Sequence, residues 1–289
     1  MSDMAVQVTG LTKNYDGFSL SNISFDVVKG SIMGIFGHSG SGKSLTLSAM
    51  MNMISIDGGK IRILGYDISK VEKQVKQEIS VIYGDYLFDD GLTVTGLNTI
   101  FKNIYKNWSQ ETYFAYLEKI GILPNTNISY LPKGTNIMIQ LAAAMSHESK
   151  LIIIDEPLRD VDEMYVPKIK TLLMEFVKDG ENSVLYFSEK VSDFDEVANQ
   201  VAIIDKGKIL LTMRKDRLLS THGITAYVKG KPFRMDAALI AGFEKNENGA
   251  QILINNVEEF KKKYPDMDIR PATLEEIMKY YIIDNTDKS

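Results

Sequence analysis

The sequence has no cysteine among its 289 residues, which excludes disulfide bonds and metal sites built from thiolates. This absence is typical of proteins that work in a reducing compartment. No apolar run approaches the roughly 20 residues that a membrane-spanning helix needs. The first residues, Met1-Ser2-Asp3-Met4, lack the basic stretch and apolar core of a signal peptide. We therefore expect a cytoplasmic chain that reaches a membrane only through a partner.

An excess of positive charge is also missing. The formal net charge is −5, so no basic field exists that would attract nucleic acid or an anionic membrane surface. Internal repeats and low-complexity tracts are absent as well. The apolar content of 44% is ordinary for a globular protein with a full core. The length predicts one large domain, alone or with a small appendage.

A glycine-rich loop is the clearest motif in the chain. Gly37-His38-Ser39-Gly40-Ser41-Gly42-Lys43-Ser44 fits the pattern GxxxxGK[ST]. The apolar run Ser31–Phe36 before it predicts a buried strand, and Leu45–Met51 after it predicts a helix, which is the context that a phosphate-binding loop requires. Backbone N–H groups of such a loop surround phosphate oxygens, Lys43 contacts the β- and γ-phosphates, and the Ser44 hydroxyl holds Mg²⁺. The alternative is an ordinary Gly/Ser turn.

A second candidate site follows the apolar run Leu151-Ile152-Ile153-Ile154, which ends in Asp155-Glu156-Pro157. A run that is apolar throughout is typical of a strand buried on both faces of a sheet. Open α/β sheets bind ligands at the carboxyl ends of their strands. With a phosphate loop upstream, we interpret Asp155 as an acid that organises Mg²⁺; the alternative is that it only begins a turn.

The remaining pattern predicts an α/β fold: a P-loop NTPase core with a mostly parallel sheet. Buried strands are predicted at Val184–Phe187 and Val201–Ile204, and short strand-like pieces from Val6 to Phe25 predict an antiparallel β edge region. Helical spacing predicts an inserted helical subdomain at about residues 85–145. The character changes near Thr221, so we predict a main domain over residues 1–220 and a small αβ C-terminal appendage over residues 221–289.

On these motifs the chain resembles an ABC transporter ATP-binding subunit, from Val6 to about Ile283. The resemblance implies ATP and Mg²⁺ as cofactors, with Asp155 as the Mg²⁺-organising acid and Glu156 as the carboxylate that polarises the attacking water. Asp162 matches the acid of the family's D-loop. Residues 1–220 would then be the ABC-type ATP-binding domain.

Two further nucleotide contacts are implied by the resemblance. Tyr15, in Leu11-Thr12-Lys13-Asn14-Tyr15, matches the aromatic residue that stacks on adenine. The alternative for Tyr15 is a half-buried strand residue. Leu45 replaces the threonine that commonly follows the phosphate-loop serine, but its N–H group remains available to the nucleotide.

Besides Leu45, three sites depart from the family pattern. The signature LSGGQ is replaced by Leu131-Pro132-Lys133-Gly134-Thr135, in which Pro132 has no N–H group. The Q-loop glutamine falls at Gly84, which has no side chain to coordinate a metal, although the neighbouring Asp85 could do so. Glu189 stands at the switch histidine, so an acceptor replaces a donor to the γ-phosphate. We expect slow hydrolysis, with Lys133 as a substitute donor in trans.

The resemblance also implies partners. Two ATP-binding subunits, identical or different, would hold ATP between one chain's phosphate loop and the other's signature segment, on the inner face of the cell membrane, beside a separate permease subunit. The segment Pro271–Tyr281 and the L-x-K-G-x signature look like exporters of drugs or of antimicrobial peptides, which include the amphipathic phenol-soluble-modulin kind. The alternative is a weakly hydrolysing subunit that pairs with a more active ATPase. A soluble translation or DNA-repair role is disfavoured, because such proteins carry two ATPase copies or long coiled coils.

Overall fold

A computed structural model describes residues 3–70, 73–84, 88, 91–228, 235–247 and 249–287. The described strands are β1 Met4–Tyr15, β2 Phe18–Val28, β3 Ile32–Phe36, β4 Gly58–Ile63, β5 Tyr66–Asp67, β6 Ile79–Tyr83, β7 Leu151–Asp155, β8 Ser183–Ser188, β9 Gln200–Asp205, β10 Lys208–Arg214, β11 Gly223–Val228, β12 Ile240–Asn246, β13 Gly249–Ile254 and β14 Ile269–Pro271. The described α-helices are α1 Lys43–Met50, α2 Lys73–Lys76, α3 Val94–Ile104, α4 Gln110–Lys119, α5 Lys133–Ser146, α6 Val166–Val177, α7 Lys215–Thr221, α8 Val257–Lys263 and α9 Leu274–Asp287.

The central sheet has six strands in the order β10-β9-β3-β8-β7-β6. Its five strands from β9 to β6 run parallel, and β10 pairs antiparallel with β9. The predicted α/β fold with a mostly parallel sheet is confirmed. The apolar strands β3 and β8 are buried along their whole length, as expected for strands covered on both faces.

The register of this sheet brings three chain segments to one edge. Asp155, the last residue of β7, pairs with Phe187 in β8. Phe36, the last residue of β3, pairs with Ser188. Because the strands are parallel, the residues that follow their carboxyl ends meet at the same edge. The phosphate loop begins there after β3, and Glu156 and Glu189 directly follow β7 and β8.

A second sheet covers one face of the central sheet and has the order β2-β1-β4-β5. β1 and β2 form a hairpin that turns at Asp16-Gly17, where Gly17 has a φ of 84°. The predicted antiparallel β region is confirmed, and its strand-like pieces join into two continuous strands of 12 and 11 residues. Register shifts within β1 absorb the irregular alternation of the sequence.

The helices α3, α4 and α5 enclose a core of their own. Tyr113 and Leu117 of α4 are fully buried there against Val94 and Leu97 of α3. Tyr113 is therefore a packing residue of this core. Asp85 lies outside the described residues. The 85–145 helical subdomain remains a prediction.

The C-terminal segment forms an antiparallel sheet in the order β12-β13-β11-β14, with α9 packed on β12. Ile277 and Met278 of α9 share a hydrophobic core with Val184 and Tyr186 of the central sheet. This shared core means that the C-terminal elements pack directly on the main sheet, so the division at residue 220 stays a prediction. Among the described residues, no helix is long and apolar enough to cross a lipid bilayer.

Candidate nucleotide-binding site

The glycine-rich loop connects β3 to α1. The helix begins at Lys43, two residues earlier than the predicted Leu45, so the first helical turn includes Lys43 and Ser44. Gly42 precedes it with a φ of 109°, a backbone conformation that side chains with a Cβ atom rarely adopt. Backbone N–H groups of a first helical turn have no partner within the helix. They point with the positive end of the helix dipole toward the loop, an arrangement suited to phosphate.

Lys43 is nearly buried and has four oxygen partners. Its Nζ donates to the carbonyl oxygens of Gly37 at 2.5 Å and His38 at 3.2 Å. It also forms ion pairs with Glu156 Oε1 at 3.2 Å and with Glu189 Oε1 at 3.7 Å. The fold therefore holds the ammonium group inside the loop, with two carboxylates beside it.

The predicted magnesium ligands come together although they are far apart in sequence. Ser44 Oγ donates to Asp155 Oδ2 at 3.2 Å. A hydroxyl and a carboxylate are oxygen donors of the kind that Mg²⁺ prefers, and Mg²⁺ commonly uses one or two protein ligands together with phosphates and water. Among the described residues, no group of three His, Asp or Glu forms a metal cage. The donor set fits a Mg²⁺ ion shared with nucleotide phosphates.

Glu156 occupies an unusual backbone position directly after β7. Its φ is 48°, and its N–H group donates to Phe187 O at 3.0 Å. Its Oε2 accepts the N–H of Glu189 at 3.2 Å. Burial raises the pKa of the Glu156 carboxyl, against the opposing effect of Lys43. A carboxylate with a raised pKa in a cleft is a candidate general base.

Two cleft residues were missed by sequence reasoning. Arg159 Nη2 lies 3.4 Å from Glu189 Oε1 and 4.0 Å from Glu156 Oε2. The ring of Phe18, the first residue of β2, lines the same cleft. The sequence did hold a signal for Arg159, because it is a cation only three residues after the predicted base Glu156. No local pattern marked Phe18.

The cleft has a volume of about 420 Å³. It is lined by Phe18, Ser39, Gly40, Ser41, Gly42, Lys43, Ser44, Leu45, Glu156, Arg159 and Glu189. Most of the predicted loop residues therefore face one space, together with the predicted base and the switch position. The His38 ring instead packs edge-on against Phe36, with the ring centroids 5.4 Å apart.

Tyr15 stands at the end of β1 with 49% of its surface exposed. Lys13 Nζ lies 5.3 Å from the centroid of its ring. The ring is about half exposed at the strand end, and Tyr15 is not among the described residues that line the cleft. The adenine contact of Tyr15 stays a prediction.

Gly84 follows β6 and is pressed against the active-site backbone. Its N–H donates to Asp155 O at 3.0 Å, and a Cβ atom built on it would lie 2.1 Å from Glu156 O. The position of the family's glutamine therefore has no room for a side chain. The proposed metal contact of Asp85 lies outside the described residues.

The signature segment lies at the start of α5. Pro132 caps the helix and Lys133 is its first residue. A Cβ on Gly134 would lie 2.4 Å from the Tyr165 ring, so that ring packs directly on the glycine. Leu131 to Thr135 are not among the described residues that line the cleft. Asp162, the predicted D-loop acid, accepts the N–H of Met164 at 3.1 Å and caps a short turn.

A family model described as ABC transporter matches residues 20–159. The phosphonates import ATP-binding protein PhnC of Fusobacterium nucleatum is 30% identical over 191 residues, 60% of this chain and 76% of that protein. The bacitracin transport ATP-binding protein BcrA of Bacillus licheniformis is 26% identical over 74% of this chain and 71% of that protein.

The chain spans about half the length of other relatives. It covers 48% of the xylose import ATP-binding protein XylG of Geobacillus kaustophilus, at 27% identity over 80% of this chain. Among solved structures, cbiO1 from Clostridium perfringens, part of the ABC transporter complex cbiONQ, superposes with a TM-score of 0.66 at 21% identity, covering 76% of this chain and 92% of that one. The structural likeness shows the fold.

Proposed function

Since this chain belongs to the family of ABC transporter ATP-binding proteins, we propose that it binds Mg-ATP in the described cleft and hydrolyses it to drive transport. One observation carries the proposal. The fold brings Lys43, the Ser44–Asp155 pair and Glu156 to a single edge of the parallel sheet. Domains of this family are ATPases that bind ATP with Mg²⁺.

Each of these residues has a role that its position supports. Lys43 binds the β- and γ-phosphates when it exchanges its carboxylate partners for phosphate oxygens. Ser44 and Asp155 hold Mg²⁺, which neutralises phosphate charge when bound. Glu156 accepts a proton from the attacking water, and its raised pKa brings its basicity closer to that task.

We propose two such chains around two ATP molecules, each phosphate loop facing the partner's signature segment. Lys133 begins α5, and we propose that it acts across this interface as an arginine finger does in other NTPases. A separate permease subunit would hold the pair on the cytoplasmic face of the membrane. Two-fold pairing of this kind uses the same surface on both chains.

We propose export of a drug or of an amphipathic or antimicrobial peptide, of the phenol-soluble-modulin kind as the narrowest reading. The Leu131–Thr135 signature and the segment Pro271–Tyr281 support export. Relatives named for bacitracin transport and for phosphonates import both match the chain. Transport measured in vesicles with the permease, from one side and then the other, distinguishes export from import.

A second candidate function is a weakly hydrolysing subunit that pairs with a more active ATPase. Glu189 favours it, because this carboxylate lies 3.7 Å from Lys43 Nζ, where it competes with phosphate for the ammonium group. Steady-state ATPase measurement of the chain alone, with its permease and with a second ATPase subunit separates the two functions. Turnover that requires the second subunit would favour this candidate.

The site assignment is tested by Lys43→Ala, with Lys279→Ala as a control. Lys279 is also a lysine in an ion pair, with Glu244 at 2.9 Å, but it lies on the exposed surface of α9. We expect Lys43→Ala to weaken Mg-ATP binding or turnover sharply and Lys279→Ala to change neither. Circular dichroism verifies that both variants fold. Unchanged affinity and turnover in a folded Lys43→Ala variant would refute the assignment.

A further inference from the structure

Four charged side chains form a closed ring of alternating sign in the cleft. Lys43 contacts Glu156 and Glu189, with Nζ to Oε1 distances of 3.2 and 3.7 Å. Arg159 closes the ring from the other side, with Nη2 3.4 Å from Glu189 Oε1 and 4.0 Å from Glu156 Oε2. Arg159 is thus the second cation of the cleft.

The charge balance of the cleft depends on Arg159. The lining of the cleft contains two cations, Lys43 and Arg159, and two carboxylates, Glu156 and Glu189, so its net charge is zero. Without Arg159 the remaining described lining would carry one net negative charge, and Lys43 would be its one cation, shared by Glu156, Glu189 and a nucleotide triphosphate. Like charges in a partly desolvated cleft repel one another more strongly than in water. We therefore expect Arg159 to contribute more to triphosphate binding than the small energy of an isolated surface ion pair.

The geometry leaves Arg159 able to bind another anion. Its carboxylate contacts both use Nη2, and a guanidinium group has five N–H donors in a planar fork. The side chain is 52% exposed and is one of the residues that line the cleft. Arginine in this setting suits bidentate contact with phosphate.

We propose that Arg159 binds the γ-phosphate of ATP from within the same chain, and that Glu189 is a positioning residue that holds its guanidinium group at the cleft. This inference rests on the proposed function. Glu189 then does not simply replace a donor with a repelling acceptor. Glu189, which directly follows β8, holds the guanidinium group of Arg159, a donor that lies in the turn after β7.

The test compares dissociation constants for Mg-ATP and Mg-ADP, measured by calorimetry at concentrations where the chain is monomeric. We expect Arg159→Ala to weaken Mg-ATP binding about tenfold, as for loss of one hydrogen bond to a charged group, and to leave Mg-ADP binding nearly unchanged. Arg159→Lys should retain part of the preference for ATP. Arg214→Ala, which removes an exposed arginine paired with Asp216 at 2.7 Å, is the matched control and should change neither constant.

A Glu189→Gln variant separates positioning from charge repulsion. Because we propose that Glu189 holds the guanidinium group at the cleft, Glu189→Gln should itself reduce the preference for ATP, and Arg159→Ala should add little in that background. Tighter Mg-ATP binding by Glu189→Gln than by the parent, or equal losses for ATP and ADP when Arg159→Ala is made in the parent background, would overturn the inference alone. Failure of the parent chain to bind Mg-ATP would overturn the proposed function and the inference together.

Discussion

Gly84→Ala is expected to damage both stability and catalysis. The added Cβ would lie 2.1 Å from Glu156 O, where ordinary contact begins at 3.4 Å, an overlap of 1.3 Å. Neither backbone segment can easily move to relieve this overlap. Gly84 is tied to Asp155 O by a 3.0 Å hydrogen bond, and Glu156 N–H is tied to Phe187 O at the same length. The clash is between the added Cβ atom and a backbone carbonyl that follows the neighbouring parallel strand.

The magnitude follows from this rigidity. Overpacking costs roughly 1–3 kcal/mol, and a backbone carbonyl that cannot rotate away places Gly84→Ala near the upper value. At about 2 °C per kcal/mol for a chain of this size, the melting temperature should fall by about 6 °C. Any relaxation that occurs moves Glu156, and a displacement of 1 Å in a catalytic group can lower turnover about 10²-fold.

Thermal unfolding and steady-state ATPase measurements check the prediction. Gly58→Ala is the control, since Gly58 also stands at a strand end but its nearest contact is an ordinary 3.7 Å to Thr12 Cβ. We expect that variant to unfold within about 1 °C of the parent, as for a surface change below 0.5 kcal/mol. A Gly84→Ala or Gly84→Gln variant as stable and as active as the parent would refute the close packing of this segment on Glu156.

Three further predictions concern the same site. Glu156→Gln should keep Mg-ATP binding and abolish most turnover, and hydrolysis by the parent should fall on acidification at a pH above the ordinary carboxyl range, because burial raises the pKa of Glu156; parent-like turnover in this variant would exclude Glu156 as the base. Tyr15→Ala should weaken ATP binding by ~1–3 kcal/mol if that ring stacks on adenine, while a loss confined to Phe18→Ala would transfer the stacking role to the ring that lines the cleft. Lys133→Ala should lower the turnover of the paired subunits and leave ATP binding by a single chain intact, and equal turnover would exclude a role in trans.

The phosphate loop, the acid-terminated strand and the buried parallel strands could all be predicted from the sequence. Each depends on contiguous residues: a glycine spacing, an uninterrupted apolar run, or a periodic pattern. Side-chain burial and backbone conformation follow directly from such local patterns. Helix α1 shows the usual limit, because its start at Lys43 was misplaced by two residues.

The relations that decide the chemistry are between strand ends and were outside the reach of local patterns. Ser44 and Asp155 are separated by 111 residues, and Arg159 and Glu189 by 30. From the sequence alone, Glu189 was a lone anion at a donor position and Gly84 a glycine without a ligand. The parallel register placed Glu189 between Lys43 and Arg159 and pressed Gly84 onto the Glu156 carbonyl. Pairwise electrostatic and steric energies depend on distance in space, so only the packed sheet determined which charges compensate one another and which position excludes a side chain.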